Sequence, residues 1–129
     1  MGKYSVDGQD TNTAGTSLLG ITGSAAIRPK IYDMTLGSDA TPADNAAEYV
    51  LQRDTAAGTS TAVTPRPLDP LTSAAVTTAG EAHSAEPTYT ADLILLQWAQ
   101  NQRATYRWVA APGGELVATA TAANGIGLQ

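Results

Sequence analysis

Apolar bulk is densest between residues 92 and 121, where Leu93, Ile94, Leu95, Leu96 and Trp98 are followed by Tyr106, Trp108, Val109, Leu116 and Val117. Gln100, Asn101 and Gln102 separate the first two groups. Ala111, Pro112, Gly113 and Gly114 separate the second from the third, and both interruptions are built from polar or turn-forming residues. The pattern predicts three consecutive strands, with Leu93, Leu95, Trp98, Tyr106, Trp108 and Leu116 directed into the core.

Upstream the pattern is weaker but of the same kind. A short apolar run at residues 18–21 closes on Gly23, and a second segment covers residues 27–36. There Tyr32, Met34 and Leu36 share one face by two-residue periodicity, while Ile31, Asp33 and Thr35 share the other. Pro29 has no N–H to give to a ladder, so it marks a strand start, an edge or a bulge. Thr41 before Pro42 has the form of a helix N-cap and admits one helical turn. Residues 46–53 suit either a short helix or a strand; the alternation of Tyr49, Leu51 and Arg53 with Glu48, Val50 and Gln52 favours a strand. Pro65, Pro67 and Pro70 impose extended geometry without a central strand position, so that stretch is expected along an edge. Residues 74–78 form a further candidate strand. Residues 80–87 read as an exposed loop carrying His83, and the glycines of residues 124–127 read as turn formers.

Short strands separated by turn signals every 8 to 12 residues predict an all-β chain. With about eight candidate strands, a jelly-roll-like β-sandwich over residues 17–129 is the expected topology, with an immunoglobulin-like sandwich as the alternative. Residues 1–16 are rich in Gly, Asp, Asn and Thr, with Tyr4 and Val6 as their only apolar anchors. They are expected to be a disordered tail or an extended N-terminal arm that orders on a neighbouring molecule.

Composition changes this picture in one respect. The chain of 129 residues is 43% hydrophobic, but much of that is alanine and valine, with no Phe and two Trp. A core of small side chains is thin, so part of the stability is expected from burial against partner chains. A net charge of −5 with seven dispersed Lys and Arg argues against nucleic-acid binding through phosphate neutralisation. The absence of cysteine excludes disulfides, thiolate nucleophiles and thiolate metal sites. No apolar run approaches the ~20 residues of a membrane helix, and the N-terminus lacks a signal-peptide pattern; neither a membrane association nor export is expected.

Candidate chemistry is sparse. His83 beside Ser84 invites a nucleophile-and-base reading, but adjacent side chains on an extended chain point apart. The carboxylates Asp33, Asp39, Asp44, Glu48, Asp54 and Asp69 lack the dense spacing of a calcium loop, and one histidine without cysteine makes zinc improbable. The glycines do not form a phosphate loop. No enzyme, metal or cofactor is therefore expected. Trp98, Tyr106 and Trp108 are expected as core, with exposed stacking on sugars as the alternative. Arg103 and Arg107 flank the same hairpin and are candidates for bidentate pairs with carboxylates of a neighbouring subunit.

Residues 82–129, the SDATPAD segment at residues 38–44 and the polar start GKYSVDGQDTN together resemble small virion proteins of tailed bacteriophages. The stretch NQRATYRWVAAPG at residues 101–113 carries the most specific part of the likeness. The resemblance implies a non-enzymatic capsid decoration, or cement, protein on the virion capsid surface, made in the bacterial cytoplasm. Its partners would be the major capsid protein and itself, as homodimer or homotrimer. Contacts are then expected at Lys3, Tyr4, Val6, Arg103 and Arg107. The alternative is a carbohydrate-binding or host-adhesion module on the phage head or fibre.

Overall fold

In a computed structural model, described for residues 2–11 and 13–129, the chain is all-β with no helix. Its centre is a six-stranded antiparallel sheet. Along the chain the elements are β1 (Tyr4–Ser5), β2 (Leu19–Thr22), β3 (Lys30–Ile31), β4 (Asp33–Leu36), β5 (Ala46–Ala56) and β6 (Thr59–Val63). They continue with β7 (Arg66–Pro67), β8 (Thr78–Ala85), β9 (Thr88–Asn101), β10 (Tyr106–Val109), β11 (Leu116–Val117) and β12 (Gly125–Leu128). The large sheet has the order β6-β8-β2-β12-β5-β9, and two-stranded ladders join β1 to β7, β4 to β10 and β3 to β11.

Strand pairing puts neighbouring residues on a common face. Leu19, Leu128 and Leu51 lie side by side across β2, β12 and β5, as do Ile21, Ile126 and Arg53 one step along. This is the apolar face. Tyr49, Leu51, Ala118, Ile126 and Leu128 form its buried core, with Leu95, Leu96, Trp98 and Leu116 packed against it. Ala118 reaches the core because the Arg53 guanidinium holds the Val117 carbonyl at 3.1 and 2.9 Å from Nε and Nη2. Trp98 stacks on Tyr49 at 5.7 Å between ring centroids and on Tyr106 at 4.6 Å. Its indole N–H donates to Gln100.

The opposite face is built on glycine. Gly80, Gly20 and Gly127 sit side by side across β8, β2 and β12. A Cβ on Gly80 would collide with Ser60, and one on Gly127 with the Tyr89 ring. The missing side chains let polar groups from the flanking strands lie directly on the sheet backbone.

Several expectations need correction. Residues 124–127 are not a turn: they supply β12, the most buried strand, because alternate glycines leave Ile126 and Leu128 to fill the core. Residues 80–87 are largely strand, not loop. Pairing of β8 with β2 on one side and β6 on the other outweighs their polar composition. Residues 74–78 form no strand beyond Thr78, and Thr41–Pro42 starts no helix, since residues 37–45 cross directly to β5. Leu93 is exposed (39%), and so is Ile94 (46%). Between the pairs Gln52 with Ile94 and Asp54 with Tyr89, β9 advances five residues against two on β5, with Asp92 at φ 61°. This bulge breaks the alternation that would have turned Leu93 inward. The strand reading of residues 46–53 holds, as do three strands between residues 88 and 117.

Candidate functional site

Two sites stand out, one on each face of the large sheet. On the apolar face a cleft of about 670 Å³ opens between the sheet and the segments that cover it. Its floor includes Leu51, Ile126 and Leu128, and its walls are residues 30–36 on one side and residues 4–8 on the other. Its volume is in the range of ligand-sized clefts, and its lining mixes aliphatic side chains with Ser5, Asp7, Lys30, Asp33, Thr35 and Arg107.

The chain forms this cleft because little bulk is available to close it. Met34 and Leu36 pack against the core from β4, and Tyr4 and Val6 line the cleft from the arm, yet all four stay half-exposed. β4 belongs to a two-stranded ladder and pairs only with β10; β1 pairs only with β7. Each therefore has one edge without a strand partner among the described residues.

Three of the predicted contact residues, Tyr4, Val6 and Arg107, border this site directly. Val6 lines it, and so does Tyr4, whose hydroxyl donates to the Ser73 carbonyl at 2.8 Å. Lys3 lies 5.7 Å over the Tyr32 ring, and its carbonyl accepts from Leu68 N–H. The first residues of the arm thus dock on their own chain through β7. Arg107 also lines the cleft and forms a bidentate pair with Asp33, 3.1 Å from Nε to Oδ1 and 2.7 Å from Nη2 to Oδ2. This pair holds the Asp33 carboxyl below the usual range, chiefly through the hydrogen bond. Arg103 lies away from the cleft, at 3.5 Å from Asp44 and donating to the Pro42 carbonyl. Both arginines pair within the chain, where a neighbouring subunit had been expected to supply the carboxylates. Trp108 is half-buried on β10 opposite Met34.

On the glycine face a polar cluster joins residues far apart in sequence. Ser17, fully buried, donates to Glu86 at 2.5 Å and contacts the Tyr89 hydroxyl at 2.6 Å. A serine has one proton to give, so Tyr89 is the donor to Ser17. Burial pushes the Tyr89 phenol up to about 12, which keeps it a donor throughout the neutral range. His83 Nδ1 lies 3.1 Å from the Ser17 carbonyl, an acceptor only, so Nδ1 carries the proton. A bulge at Ala82 (φ 47°) brings His83 to this face. Strict alternation from Gly80 would have sent it to the other.

Asp54 lies beside this cluster, lining a cavity of about 70 Å³ with His83, Ser60, Thr22 and Thr78. It is 3% exposed, and its Oδ1 has no hydrogen-bond partner. Burial raises its carboxyl to about 6, partly offset by a hydrogen bond from the Gly125 backbone. No nucleophile-and-base pair results. Ser17 Oγ faces Glu86 and Tyr89, and Ser84 turns to the Thr59 carbonyl. Among the described residues no group of three or more His, Cys, Asp or Glu is placed to hold a metal ion.

Sequence reasoning missed Ser17, Tyr89 and Glu86 as a unit and the glycine row beneath them. The available signal was the spacing of Gly125 and Gly127 around Ile126, which suits a strand with one bare face. In comparisons with protein-family models, curated proteins and solved structures, the chain matches none.

Proposed function

We propose that this protein is a non-enzymatic capsid decoration protein of a tailed bacteriophage, which binds outside the shell of major capsid protein and reinforces contacts between capsomers. The observation that carries the assembly part of this reading is the incomplete closure of the apolar face. The cleft stays open between two strands that each lack a partner on one edge. Surface area supports the same view: a compact monomer of 13.2 kDa exposes about 6,400 Å², whereas this chain exposes 7592 Å². The difference, about 1,200 Å², exceeds the ~800 Å² that a standard interface removes from one partner. The likeness of residues 101–113 and the other segments to small phage virion proteins supplies the setting.

In this reading the fold is a jelly-roll-like double sheet, with β3, β4, β10 and β11 contributing the second layer. The protein acts as a homodimer or homotrimer, and many weak contacts on a symmetric lattice add through avidity. The glycan-binding alternative draws less support, because Trp98 is engaged by Tyr49 and Tyr106. The test is to purify particles from infected cells and quantify this chain by mass spectrometry. A copy number set by the icosahedral lattice is expected, along with loss of heat resistance in particles lacking the protein. Its absence from particles would end the reading.

A further inference from the structure

We infer that the cleft on the apolar face is a strand-acceptor slot, which takes an extended segment of a partner polypeptide with aliphatic side chains at alternate positions. The lining is the first argument. Consecutive residues line it on both sides, 30–36 on one and 4–8 on the other, which include β4 and β1. The continuous strand along it is β4, whose four residues span about 13 Å, faced by the two residues of β1.

The second argument is hydrogen bonding. β4 on one wall and β1 on the other each carry a strand partner on one edge only. The main-chain groups on their second edges are those an added strand uses, and strand addition takes its affinity from such bonds and its selectivity from alternate side-chain pockets. The half-exposed aliphatic residues of the lining are Leu19, Ile21 and Ile31, above the buried Leu51, Ile126 and Leu128, so the inward residues must be aliphatic; those facing outward meet solvent.

Residues 1–129 hold no suitable donor, so a second copy is not the occupant. Residues 9–11, 13–16, 23–29, 37–45, 68–77, 110–115 and 118–124 run outside the strands, and their Gly, Ala, Asp, Pro and Thr content gives no alternation of large aliphatics. β9 is the exposed edge of the large sheet, but it is already bonded to β5 and cannot enter a slot walled on both sides. Charge selects the donor further. The Asp33 carboxylate is taken by Arg107 and the Asp7 carboxylate by Arg66, which leaves Lys30 as the lining cation with no ion pair among the described residues. A carboxylate at one end of the donor strand meets it.

This inference deepens the assembly reading and rests on it only for the identity of the partner. The probe is a heptapeptide alternating threonine with valine or isoleucine and ending in glutamate. Its control contains the same residues with the aliphatic ones made consecutive. Titration into the isotopically labelled full chain, followed by NMR, is expected to shift the Leu19 and Ile21 methyls and protect amides of β1 and β4 from exchange. The control should bind at least tenfold more weakly. Val6→Glu, on the half-exposed arm, should abolish binding while the large sheet stays folded. Lys30→Glu should weaken the glutamate peptide about threefold and favour a lysine-ended one, the scale of an exposed ion pair. Equal binding of peptide and control, no binding, or shifts outside the slot would overturn the inference. So would a dimer of the free chain with β4 amides already protected. Particle assays separate the two readings: heads decorated normally by Val6→Glu would retire the slot as the route to the shell. Peptide binding by a protein that never associates with heads would retire the capsid reading alone.

Discussion

The Tyr89 ring lies over Gly127, with its Cε1 2.9 Å from where a Cβ would stand. The pair closes the glycine face of the central strand. An alanine at position 127 would force the ring, and with it the Ser17 and Glu86 hydrogen bonds, away from the sheet. Gly127→Ala is expected to lower stability by about 2 kcal/mol or more in denaturant unfolding, the scale of overpacking in a filled site. In a Tyr89→Ala background the same change should cost much less, and the double-mutant cycle reads the coupling directly.

Asp54 sets a pH dependence with a definite sign. Its folded carboxyl is raised to about 6 from an unfolded value near 3.8, so the folded state holds the proton more tightly. The contribution to stability is fully present below about pH 4, falls as pH rises toward 6, and is lost above that. Asp54→Asn keeps the shape and removes the charge. It should raise stability at pH 7 to 8 by about 2 kcal/mol and flatten the profile between pH 4 and 6. Melting curves across that window check it, and an unchanged slope would count against the assignment.

Trp98 ties the large sheet to the β4–β10 ladder through its stacks on Tyr49 of β5 and Tyr106 of β10. Trp98→Ala is expected to cost about 3 kcal/mol, with Trp98→Phe costing less because one ring contact is kept. If soluble glycans bound to the wild type and lost binding in Trp98→Phe without loss of stability, the adhesion alternative would return.

The arm is held to its own chain by the β1 ladder to β7, the Leu68 N–H on the Lys3 carbonyl and the Tyr4 hydroxyl on Ser73. Lys3 over the Tyr32 ring, the exposed Asp7–Arg66 pair and the Gln9 N–H on Glu81 add to these. Deletion of residues 1–8 should leave the large sheet folded by circular dichroism. It should also expose residues 68–77, where Leu71 is already 94% exposed, to faster proteolysis. The same deletion should lower occupancy on purified heads; unchanged occupancy would exclude the arm from attachment.

Arg107 and Asp33 pair at the exposed rim of the cleft. Arg107→Ala should leave the denaturation midpoint unchanged within error, since solvent and salt screen such pairs. An effect on particle binding at constant stability would place the pair at the interface.

Local patterning determined that this chain is all-β. Two-residue periodicity at residues 32–36 and 46–53, and turn residues at 111–114, depend on neighbours a few positions away and can be read along a line. The thinness of the core was legible for the same reason, because it follows from side-chain volumes. The rest was decided by pairing across long separations. Gly125 and Gly127 look like turn formers until β2 and β5 flank them, and only then does their lack of side chains make room for Tyr89. Bulges at Ala82 and near Asp92 re-aimed His83 onto the polar cluster and turned Leu93 outward. A bulge reverses the alternation on which any reading along the chain relies. The cleft is the furthest from the sequence: it arises where the arm, β4 and the large sheet fail to meet. A gap between segments belongs to their arrangement, not to any one of them.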